Sequence, residues 1–419
     1  MSSLAFTSSK RASAALLVVL SFALLCTEHA FHYAIALLML GGIAAFVRAP
    51  RAIFTDPELR AFSAAFLCLW LPMLFSLTDA ANPGHAGKTV FAYLHFWPAG
   101  LCIVLACRDA RLRRWLLAGV AGVLAFWLAD ALLQLVTGRD LFGHPPAGDI
   151  LTGAFYPKQR LGLVLAVLTP VYFLGVAWLA RRQPLAWLLL LPLFLVILLS
   201  LKRTAWIMLA VSLAGLLWLA CTRRQGGLCR ALLGLLLALS LMVGGALALD
   251  PALRERVADT AGLASGDFAT MDRASSYRLT LWRTGWRIFE ANPVNGVGPR
   301  GYRYTYADHA PADDFWLLRG GGQTHPHLML LEVAVETGLI GVAGYFAFLA
   351  LLWQRLRQAV DEIQAVWAIA ALAATFPLNA HLAFYGSYWS SLVWMLSALA
   401  CAGTGRIDPP TFPRPDRPA

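Results

Sequence analysis

Long apolar segments alternate with short polar segments along almost the whole chain. An apolar segment of about 20 residues can cross the hydrocarbon core of a membrane as an α-helix. The pattern predicts twelve such helices, near residues 13–27, 30–47, 61–77, 89–106, 115–137, 160–180, 185–201, 204–221, 229–249, 328–353, 362–383 and 387–404. We therefore expect an all-α polytopic membrane protein.

The polar segments divide the chain unevenly. The first nine predicted membrane helices occupy residues 1–249, a long loop occupies residues 250–325, and the last three helices occupy residues 326–405. Residues 406–419 are rich in proline, a composition typical of disordered tails. A loop as long as residues 250–325 is usually functional or has a structure of its own.

An amphipathic helix is predicted inside the long loop by the stretch SSYRLTLWRTGWRIFEANP. At about 100° per residue, its large apolar side chains form one stripe. The members of this stripe are Leu279, Trp282, Trp286 and Phe289. If the stripe packs on the outer ends of the membrane helices, Arg278 or Arg283, at its two edges, would lie at that junction, where either could bind a substrate.

Composition supports a membrane protein. Of the 419 residues, 59% are hydrophobic and 14% are charged, whereas soluble domains have about 45–50% apolar and about 25% charged residues. The net charge of +11 follows the predicted topology, because basic residues concentrate in short cytoplasmic loops. The short outer segments hold only Lys88, Arg139, Lys158, Arg160, Lys202 and Arg203. We therefore expect cytoplasmic termini and no nucleic-acid partner.

Two stretches resemble nucleotide-binding motifs. GVGPRG, Gly296 to Gly301, follows a predicted helix rather than a strand, and NPGHAGKT, Asn82 to Thr89, lacks the first glycine of a P-loop and falls in a predicted outer loop. Because neither has the strand before it that phosphate cradling requires, they predict a glycine turn and a loop, not a nucleotide site.

Metal and disulfide sites are not predicted either. The seven cysteines lie in or beside predicted membrane helices, without a CxxC spacing, so a disulfide framework or a zinc site is not expected. The outer segments contain no Asp-x-Asp motif. We therefore expect a protein without a metal or another cofactor.

The stretch QTHPHLMLLEVAVETGLIG, Gln323 to Gly341, places two histidines before an apolar helix. Pro326 suits the first turn of a helix, which would put His327 in that turn, beside unpaired N–H groups. Such a position favours a bound anion and a neutral imidazole. Glu332 and Glu336 would share one helix face. Ionisable groups at membrane depth indicate function, although a helix cap with interfacial histidines is the alternative.

Two other outer segments carry cations. SLKRTAW, Ser200 to Trp206, places Lys202 and Arg203 at a tight turn between apolar segments, and FYPKQRLG, Phe155 to Gly162, places Lys158 and Arg160 before a helix. Snorkelling to lipid headgroups is one interpretation. The other is binding of a lipid-linked phosphate, to which the guanidinium fork is suited. Without a P-loop, the leaving group would have to be activated already, as in a sugar diphospho-lipid.

These motifs resemble those of the O-antigen ligase family of bacterial membrane glycosyltransferases. His327, nine residues from Met329 to Thr337, and Gly338-Leu-Ile-Gly341 match the spacing of its His-[Asn/Ser/Gln]-x₉-Gly-x-x-Gly signature, although Leu328 replaces the polar residue. KRTAW resembles the Ser-Arg-Gly-Ala-Trp-like segment, and YRLTLW followed by NPVNGVG resembles the loop pattern Arg-x-x-x-Trp, Pro-x-x-Gly-x-Gly.

The resemblance implies a GT-C-type enzyme of the bacterial inner membrane that acts at the periplasmic face without a metal. It would transfer O-antigen glycan from undecaprenyl pyrophosphate to a sugar hydroxyl of lipid A–core, with inversion at the anomeric carbon. His327, Arg203 and Arg278 are the implied catalytic residues. Substrate-binding candidates are Lys158, Arg160, Lys202, Arg283, His325 and Glu336. The implied partners are the lipid-linked donor, the lipid A–core acceptor and membrane lipids, with no nucleotide.

Three alternatives remain open at this point. An O-antigen polymerase uses another lipid-linked repeat as the acceptor, and a protein O-oligosaccharyltransferase uses a protein; both belong to the same family. A lipid-glycan flippase would also be polytopic and basic. Such a transporter would tend to show inverted repeats and charged residues near the midplane of the bilayer, whereas here most charges lie at the ends of the predicted helices.

Overall fold

The computed structural model describes residues 8–224, 226–380 and 382–403, which form helices and turns and no β-strand. The helices before the long loop are α1 (Ser8–Ala23), α2 (Phe31–Arg48), α3 (Ala52–Thr55), α4 (Pro57–Phe75), α5 (Pro83–Tyr93), α6 (Phe96–Ala106), α7 (Ala110–Thr137), α8 (Leu161–Ala180), α9 (Leu190–Leu199), α10 (Arg203–Thr222) and α11 (Gly226–Leu249). The expected all-α class is confirmed.

The long loop is itself helical. Its helices are α12 (Pro251–Ala261), α13 (Phe268–Ala274), α14 (Arg278–Ala291), α15 (Tyr302–His309) and α16 (Phe315–Gly320). They are followed by α17 (Met329–Arg357), α18 (Glu362–Ala374) and α19 (Ser387–Cys401). The tail expected to be disordered, residues 406–419, lies outside the described residues.

Within residues 8–224, 226–380 and 382–403, eight segments are long and apolar enough to cross a membrane. They are Ser8–Cys26, Phe31–Arg48, Pro57–Asp79, Pro83–Ala106, Ala110–Thr137, Leu161–Ala180, Arg203–Thr222 and Met329–Arg357. Shorter apolar helices occur at Pro184–Leu199, Leu239–Leu249 and Glu362–Ala374. The protein is thus a polytopic membrane protein, and the count of twelve spans stays a prediction. The predicted division into residues 1–249, 250–325, 326–405 and 406–419 also stays a prediction.

The membrane helices pack around a buried centre formed by α8, α18 and α19, whose side chains are almost all shielded. α17 crosses α4 at Gly344, where a side chain has no room, because a Cβ atom would lie 2.1 Å from the carbonyl oxygen of Cys68. Small residues at such crossings let helix backbones approach closely. The crossing fixes α17 against the N-terminal half of the bundle.

Helix α17 is interrupted at Gly338, whose φ of 63° and ψ of −163° are not helical. The break frees backbone groups for a neighbouring turn. Leu339 N–H donates to the carbonyl of Pro293 at 2.8 Å, and Val297 N–H donates to the carbonyl of Val335 at 2.9 Å. The first glycine of the Gly-x-x-Gly spacing therefore joins α17 to the turn that follows α14.

Helix α14 packs along the first turns of α17, as an amphipathic loop helix was expected to do. The buried stripe differs from the predicted one: it contains Leu281, Thr284, Gly285 and Ile288, whereas Trp286 is 53% exposed. The difference arises because Gly285 lets α14 approach Leu331, so a small residue rather than a tryptophan faces the contact. Trp282 and Phe289 pack only at its edge.

Several helices begin at the end of the bundle that carries residues 250–328, which we call the loop face. α5, α8, α10 and α17 all start there. The predicted loop at Asn82–Thr89 is wrong, because α5 begins at Pro83 and the Asn82 side chain caps it by accepting the N–H of His85. The predicted glycine turn at Gly296–Gly301 is confirmed, since Gly296 and Gly298 have positive φ.

Candidate active site

Four basic side chains form a cluster at the loop face. Lys202 and Arg203 stand at the start of α10, Arg256 lies on α12, and Arg278 begins α14. Burial, together with repulsion from Arg256 and Arg278, lowers the pKa of Lys202 to about 8. Burial, together with repulsion from Arg203 and Arg256, lowers the pKa of Arg278 to about 10. We call these four residues the cation cluster.

The turn before α10 positions the first two cations. Leu201 adopts a φ of +51°, a left-handed conformation that is uncommon for a residue with a side chain. Ser200, just before it, is buried and donates its hydroxyl to the carbonyl of Ile197 at 2.7 Å. This turn reverses the chain between α9 and α10, so that Lys202 and Arg203 project where the apolar helices end.

The entry into α14 positions Arg278. Ser276 and Tyr277 both have positive φ, and the buried Ser275 hydroxyl oxygen accepts the N–H of Arg278 at 3.0 Å. The Asp272 carboxylate accepts the N–H of Thr280 at 3.0 Å. Two consecutive non-glycine residues with positive φ cost free energy, and such conformations concentrate at functional sites. The strained backbone therefore lies directly before Arg278, at the start of α14.

Arg203 ties the loop to the membrane helices. Its guanidinium donates hydrogen bonds to the carbonyl of Ala274 at 2.5 Å and to the hydroxyls of Ser276 and Thr260, each at 3.4 Å. Asp259 attracts Arg203 and lies 3.9 Å from the guanidinium of Arg256, so one carboxylate faces these two arginines. The cation cluster therefore carries an excess of positive charge that an anion could neutralise.

The segment Lys158–Arg160 meets the cation cluster through the residue between its two cations. The Gln159 side-chain carbonyl accepts a hydrogen bond of 2.5 Å from the Lys202 ammonium. Lys158 instead pairs with Glu28 at 3.2 Å, and Arg160 lies over the ring of Tyr388 at 4.1 Å. Of these three side chains, Gln159 is the one in direct contact with the cluster, although sequence analysis singled out its neighbours.

The two histidines lie next to each other before α17. The ring centroids of His325 and His327 are 3.9 Å apart with planes tilted by 46°, and the Thr324 hydroxyl is 3.1 Å from His325 Nδ1. His327 has a φ of +51° and both rings are half-buried. Leu328 packs against the apolar cluster that includes Leu281 of α14, so this segment adjoins the helix that Arg278 begins.

The expected position of His327 in the first helical turn is wrong. α17 begins at Met329, with Leu328 as its extended N-cap. The N–H groups of Met329 and Leu330 donate to the carbonyls of Asn379 and Pro377, at 2.8 and 3.2 Å. These backbone bonds replace the open helix end that the sequence suggested, so those two N–H groups do not serve a bound anion. The cations of the cluster are the available anion-binding groups instead.

Glu332 and Glu336 are fully buried on one face of α17, as their spacing predicted. The Glu332 carboxylate accepts the N–H groups of Phe384 and Tyr385, at 3.0 and 3.3 Å. The Glu336 carboxylate accepts the N–H of Arg300 at 2.6 Å. Both carboxylates thus hold loop segments against α17, and Glu336 does not reach the cation cluster through any of these contacts.

Arg283 is placed away from the cation cluster. It is exposed and lies 5.9 Å over the ring of Phe268, in a depression that also contains Asp313 and Arg319. Sequence analysis missed Arg256, because α12 is an ordinary charged helix in sequence. Only the fold shows that one of its arginines faces Arg203 and Arg278.

An apolar groove of about 560 Å³ runs between α9, α10, α11 and α12. It reaches the cation cluster at one end: Trp206 lies one turn beyond Arg203, and Leu253 and Val257 lie on either side of Arg256 on α12. Leu209 and Leu247 line it further from the cluster. The apolar groove and the cation cluster are therefore contiguous.

The described residues contain no group of three or more His, Cys, Asp or Glu side chains that could hold a metal ion. The expectation of metal-independent chemistry has no test in this geometry and stays a prediction.

Fold and site define an all-helical polytopic membrane protein with a cation cluster at the mouth of an apolar groove. Residues 187–346 match the family model described as O-antigen ligase, a stretch that contains the whole cation cluster, both histidines and the Gly338 break. This match supports the resemblance to the O-antigen ligase family that the motifs indicated. Members of this family are glycosyltransferase-like enzymes of O-antigen and lipopolysaccharide assembly. No curated protein matches the chain.

Proposed function

We propose that the protein is an O-antigen ligase, which transfers glycan from undecaprenyl pyrophosphate to a sugar hydroxyl of lipid A–core. The observation that carries this proposal is the contact between the cation cluster and the apolar groove. An isoprenoid diphosphate has a long apolar chain attached to a compact polyanion. The apolar groove complements the chain, and the cation cluster complements the diphosphate.

The cation cluster would bind the pyrophosphate and stabilise the charge that develops as it leaves. Preorganised cations at a developing charge are usually a large contribution to catalysis. Arg203 and Arg278 offer planar guanidinium groups that can form two parallel hydrogen bonds to a phosphate. Arg203 is already oriented by its bonds to Ala274 and Ser276, so little side-chain freedom would be lost on binding.

His327 would act as the general base. The acceptor hydroxyl oxygen attacks the anomeric carbon, and its proton passes to the unprotonated imidazole of His327. The bond between the anomeric carbon and the phosphate oxygen breaks, and its electron pair leaves with the pyrophosphate. A direct displacement of this kind inverts the anomeric centre. General-base catalysis typically contributes about 10²–10⁴-fold to the rate.

The other candidates would have supporting roles. Lys202 adds charge to the diphosphate site and is held by Gln159, while Lys158 and Arg160, its neighbours in sequence, would assist from outside the cluster. His325 lies against His327 and would orient its ring, which makes it the competitor for the role of base. Glu336 would position Arg300 and not react, because its carboxylate accepts the backbone N–H of that residue.

We further propose a GT-C-type architecture in the bacterial inner membrane, with cytoplasmic termini and the loop face in the periplasm. The distribution of Lys and Arg over the short loops supports this orientation. Twelve spans would follow if the shorter apolar helices and α19 also cross the bilayer.

The decisive assay uses purified protein in detergent with a defined undecaprenyl-pyrophosphate glycan and lipid A–core. Mass spectrometry of the product identifies the acceptor. A glycan linked to lipid A–core supports a ligase, whereas elongation of the lipid-linked glycan indicates a polymerase and a glycosylated protein indicates an oligosaccharyltransferase. A flippase would give no transfer in detergent, where there is no membrane to cross.

The same assay tests metal independence. We expect transfer to continue in the presence of EDTA. Loss of transfer with EDTA and recovery on addition of a divalent cation would show that the cations of the cluster do not suffice.

A further inference from the structure

The two stretches that resemble nucleotide-binding motifs lie against each other at the loop face. Ala81 N–H, directly before the Asn82–Thr89 stretch, donates to the carbonyl of Val297 at 2.9 Å. The Asn295 amide donates to the Asp79 carboxylate at 2.6 Å. Two segments more than 200 residues apart in sequence are thus fastened together, and neither is part of the cation cluster.

A pocket of about 380 Å³ lies where these segments meet the loop before α19. Its basic lining comes from both: His85 and Lys88 on α5, Arg300 in the glycine turn and Arg303 on α15. Ala92 and Phe96, at the junction of α5 and α6, give it an apolar side. We call it the second basic pocket.

Several guanidinium nitrogens in this pocket have no hydrogen-bond partner among the residues that the structure describes. Among the residues that the structure describes, buried Arg300 Nη1 and buried Arg303 Nε and Nη2 have no hydrogen-bond partner. Burial, together with repulsion from Arg300, lowers the pKa of Arg303. Buried donors without partners cost free energy, which a bound anion would recover.

The nearby carboxylates do not use these guanidinium donors. Glu336 accepts the backbone N–H of Arg300, and Glu332 accepts those of Phe384 and Tyr385. Arg300 also has a φ of +65°, so the bond from its N–H to Glu336 holds a strained backbone that presents the side chain to the pocket. The two buried glutamates stabilise the arrangement electrostatically and leave the donor atoms available.

We propose that the second basic pocket binds a phosphate monoester of the acceptor lipid. That this lipid is the acceptor rests on the proposed function, in which the cation cluster and the apolar groove hold the donor. Lys88 and the two arginines supply charge, the guanidinium groups supply directional donors, and Ala92 and Phe96 provide a surface for the lipid or sugar that bears the phosphate. The pocket adjoins the first turns of α17 through Glu332 and Glu336 and therefore lies close to the segment that carries His327.

Direct binding tests this proposal without any transfer reaction. Purified full-length protein in nanodiscs is titrated with lipid A carrying two phosphate monoesters, with its fully dephosphorylated form, and with undecaprenyl pyrophosphate. Arg303→Gln is expected to raise the Kd of phosphorylated lipid A by about tenfold or more, with Lys88→Gln raising it severalfold. The Kd values of the other two lipids should change less than about twofold.

Controls separate binding from folding. Lys88 is exposed, so Lys88→Gln decides the matter if Arg303→Gln does not fold. Arg319→Gln, an exposed arginine of the same loop that lies over Phe315, should leave all three Kd values unchanged.

Equal wild-type affinity for phosphorylated and dephosphorylated lipid A would overturn the proposal. So would an equal loss of undecaprenyl-pyrophosphate binding in Lys88→Gln, because the pocket would then hold the donor. A wild-type protein that binds phosphorylated lipid A in this pocket but transfers no glycan would refute the proposed function and leave the pocket assignment intact.

Discussion

The guanidinium of Arg203 donates a hydrogen bond to the carbonyl oxygen of Ala274, which lies 71 residues further along the chain, at 2.5 Å. This bond connects the start of a membrane helix to the loop segment that leads into Arg278. The two arginines are therefore positioned together, and a displacement of the loop segment would also displace the guanidinium of Arg203 at the start of the membrane helix. Backbone strain marks the same places, since Leu201, Ser276, Tyr277 and His327 all have positive φ.

Arg256 is predicted to bind the donor although no motif includes it. Arg256→Gln removes one cation that acts on Arg203 and Arg278, and we expect the KM for the lipid-linked donor to rise about tenfold or more. The KM for the acceptor should stay within about twofold. Arg283→Gln is the matched control, because Arg283 is exposed and outside the cluster; an equal effect of both substitutions would argue against a local role for Arg256.

Donor binding is predicted to depend on pH through Lys202. Its pKa of about 8 in the free protein means that its charge is present below pH 8 and is lost above it. A bound diphosphate favours the charged form and raises that pKa, so binding takes up a proton above pH 8. The kcat/KM for the donor should therefore fall by up to about tenfold per pH unit above pH 8.

The matched variant for this pH dependence is Lys202→Arg, which keeps its charge throughout the range. Its decline above pH 8 should be much smaller than that of the wild type, with both profiles measured at saturating acceptor. Identical profiles would show that Lys202 is not the group responsible.

The apolar groove is predicted to bind the isoprenoid chain. Ala210 is exposed to the groove, so Ala210→Trp would fill part of it and raise the KM for undecaprenyl-linked donor severalfold. A donor with a short isoprenoid, which needs less of the groove, should be affected less. Ile207→Trp, an exposed position on α10 outside the groove lining, is the control. Equal sensitivity of both donors would place the chain elsewhere.

Gly338 is predicted to be required for the stability of the junction between α17 and the turn after α14. Its conformation is accessible almost only to glycine, and a Cβ atom would lie 2.1 Å from the carbonyl oxygen of Val294. Gly338→Ala should lower the free energy of unfolding by about 1–3 kcal/mol from strain, and by more if the turn separates. The Tm in detergent measures this, with Gly320→Ala, which has open space, as the control; an unchanged Tm for Gly338→Ala would contradict the assigned role.

The eight segments that are long and apolar enough to cross a membrane could be located from the sequence, because apolar length is a local property, whereas the count of twelve spans stays a prediction. The signature spacing from His327 to Gly341 was also readable, since it lies within one continuous stretch. The bounds of the helix in this stretch could not be predicted. The sequence suggests one continuous helix starting near Pro326, whereas the helix begins at Met329 and breaks at Gly338. Both differences depend on partners distant in sequence, Asn379 for the start and Pro293 for the break.

Contacts between distant segments also explain the remaining differences at the site. Arg256 joins Arg203 and Arg278, and Gln159 rather than its charged neighbours reaches Lys202, only because of how the loop folds back. The prediction of the buried stripe on α14 was wrong because a small residue, Gly285, makes its close contact with α17, and glycine adds nothing to an amphipathic pattern. Local patterns thus identified the segments of the site but not which side chain of each segment faces inward.

The central claim is that His327 accepts the proton of the acceptor hydroxyl beside a diphosphate held by the cation cluster. The most direct measurement is the rate of single-turnover glycan transfer by His327→Ala and His325→Ala, at saturating donor and acceptor, with donor binding measured in parallel. We predict a loss of about 10²-fold or more for His327→Ala, a smaller loss for His325→Ala, and unchanged donor affinity in both. Near wild-type transfer by His327→Ala, with the large loss in His325→Ala, would contradict the account.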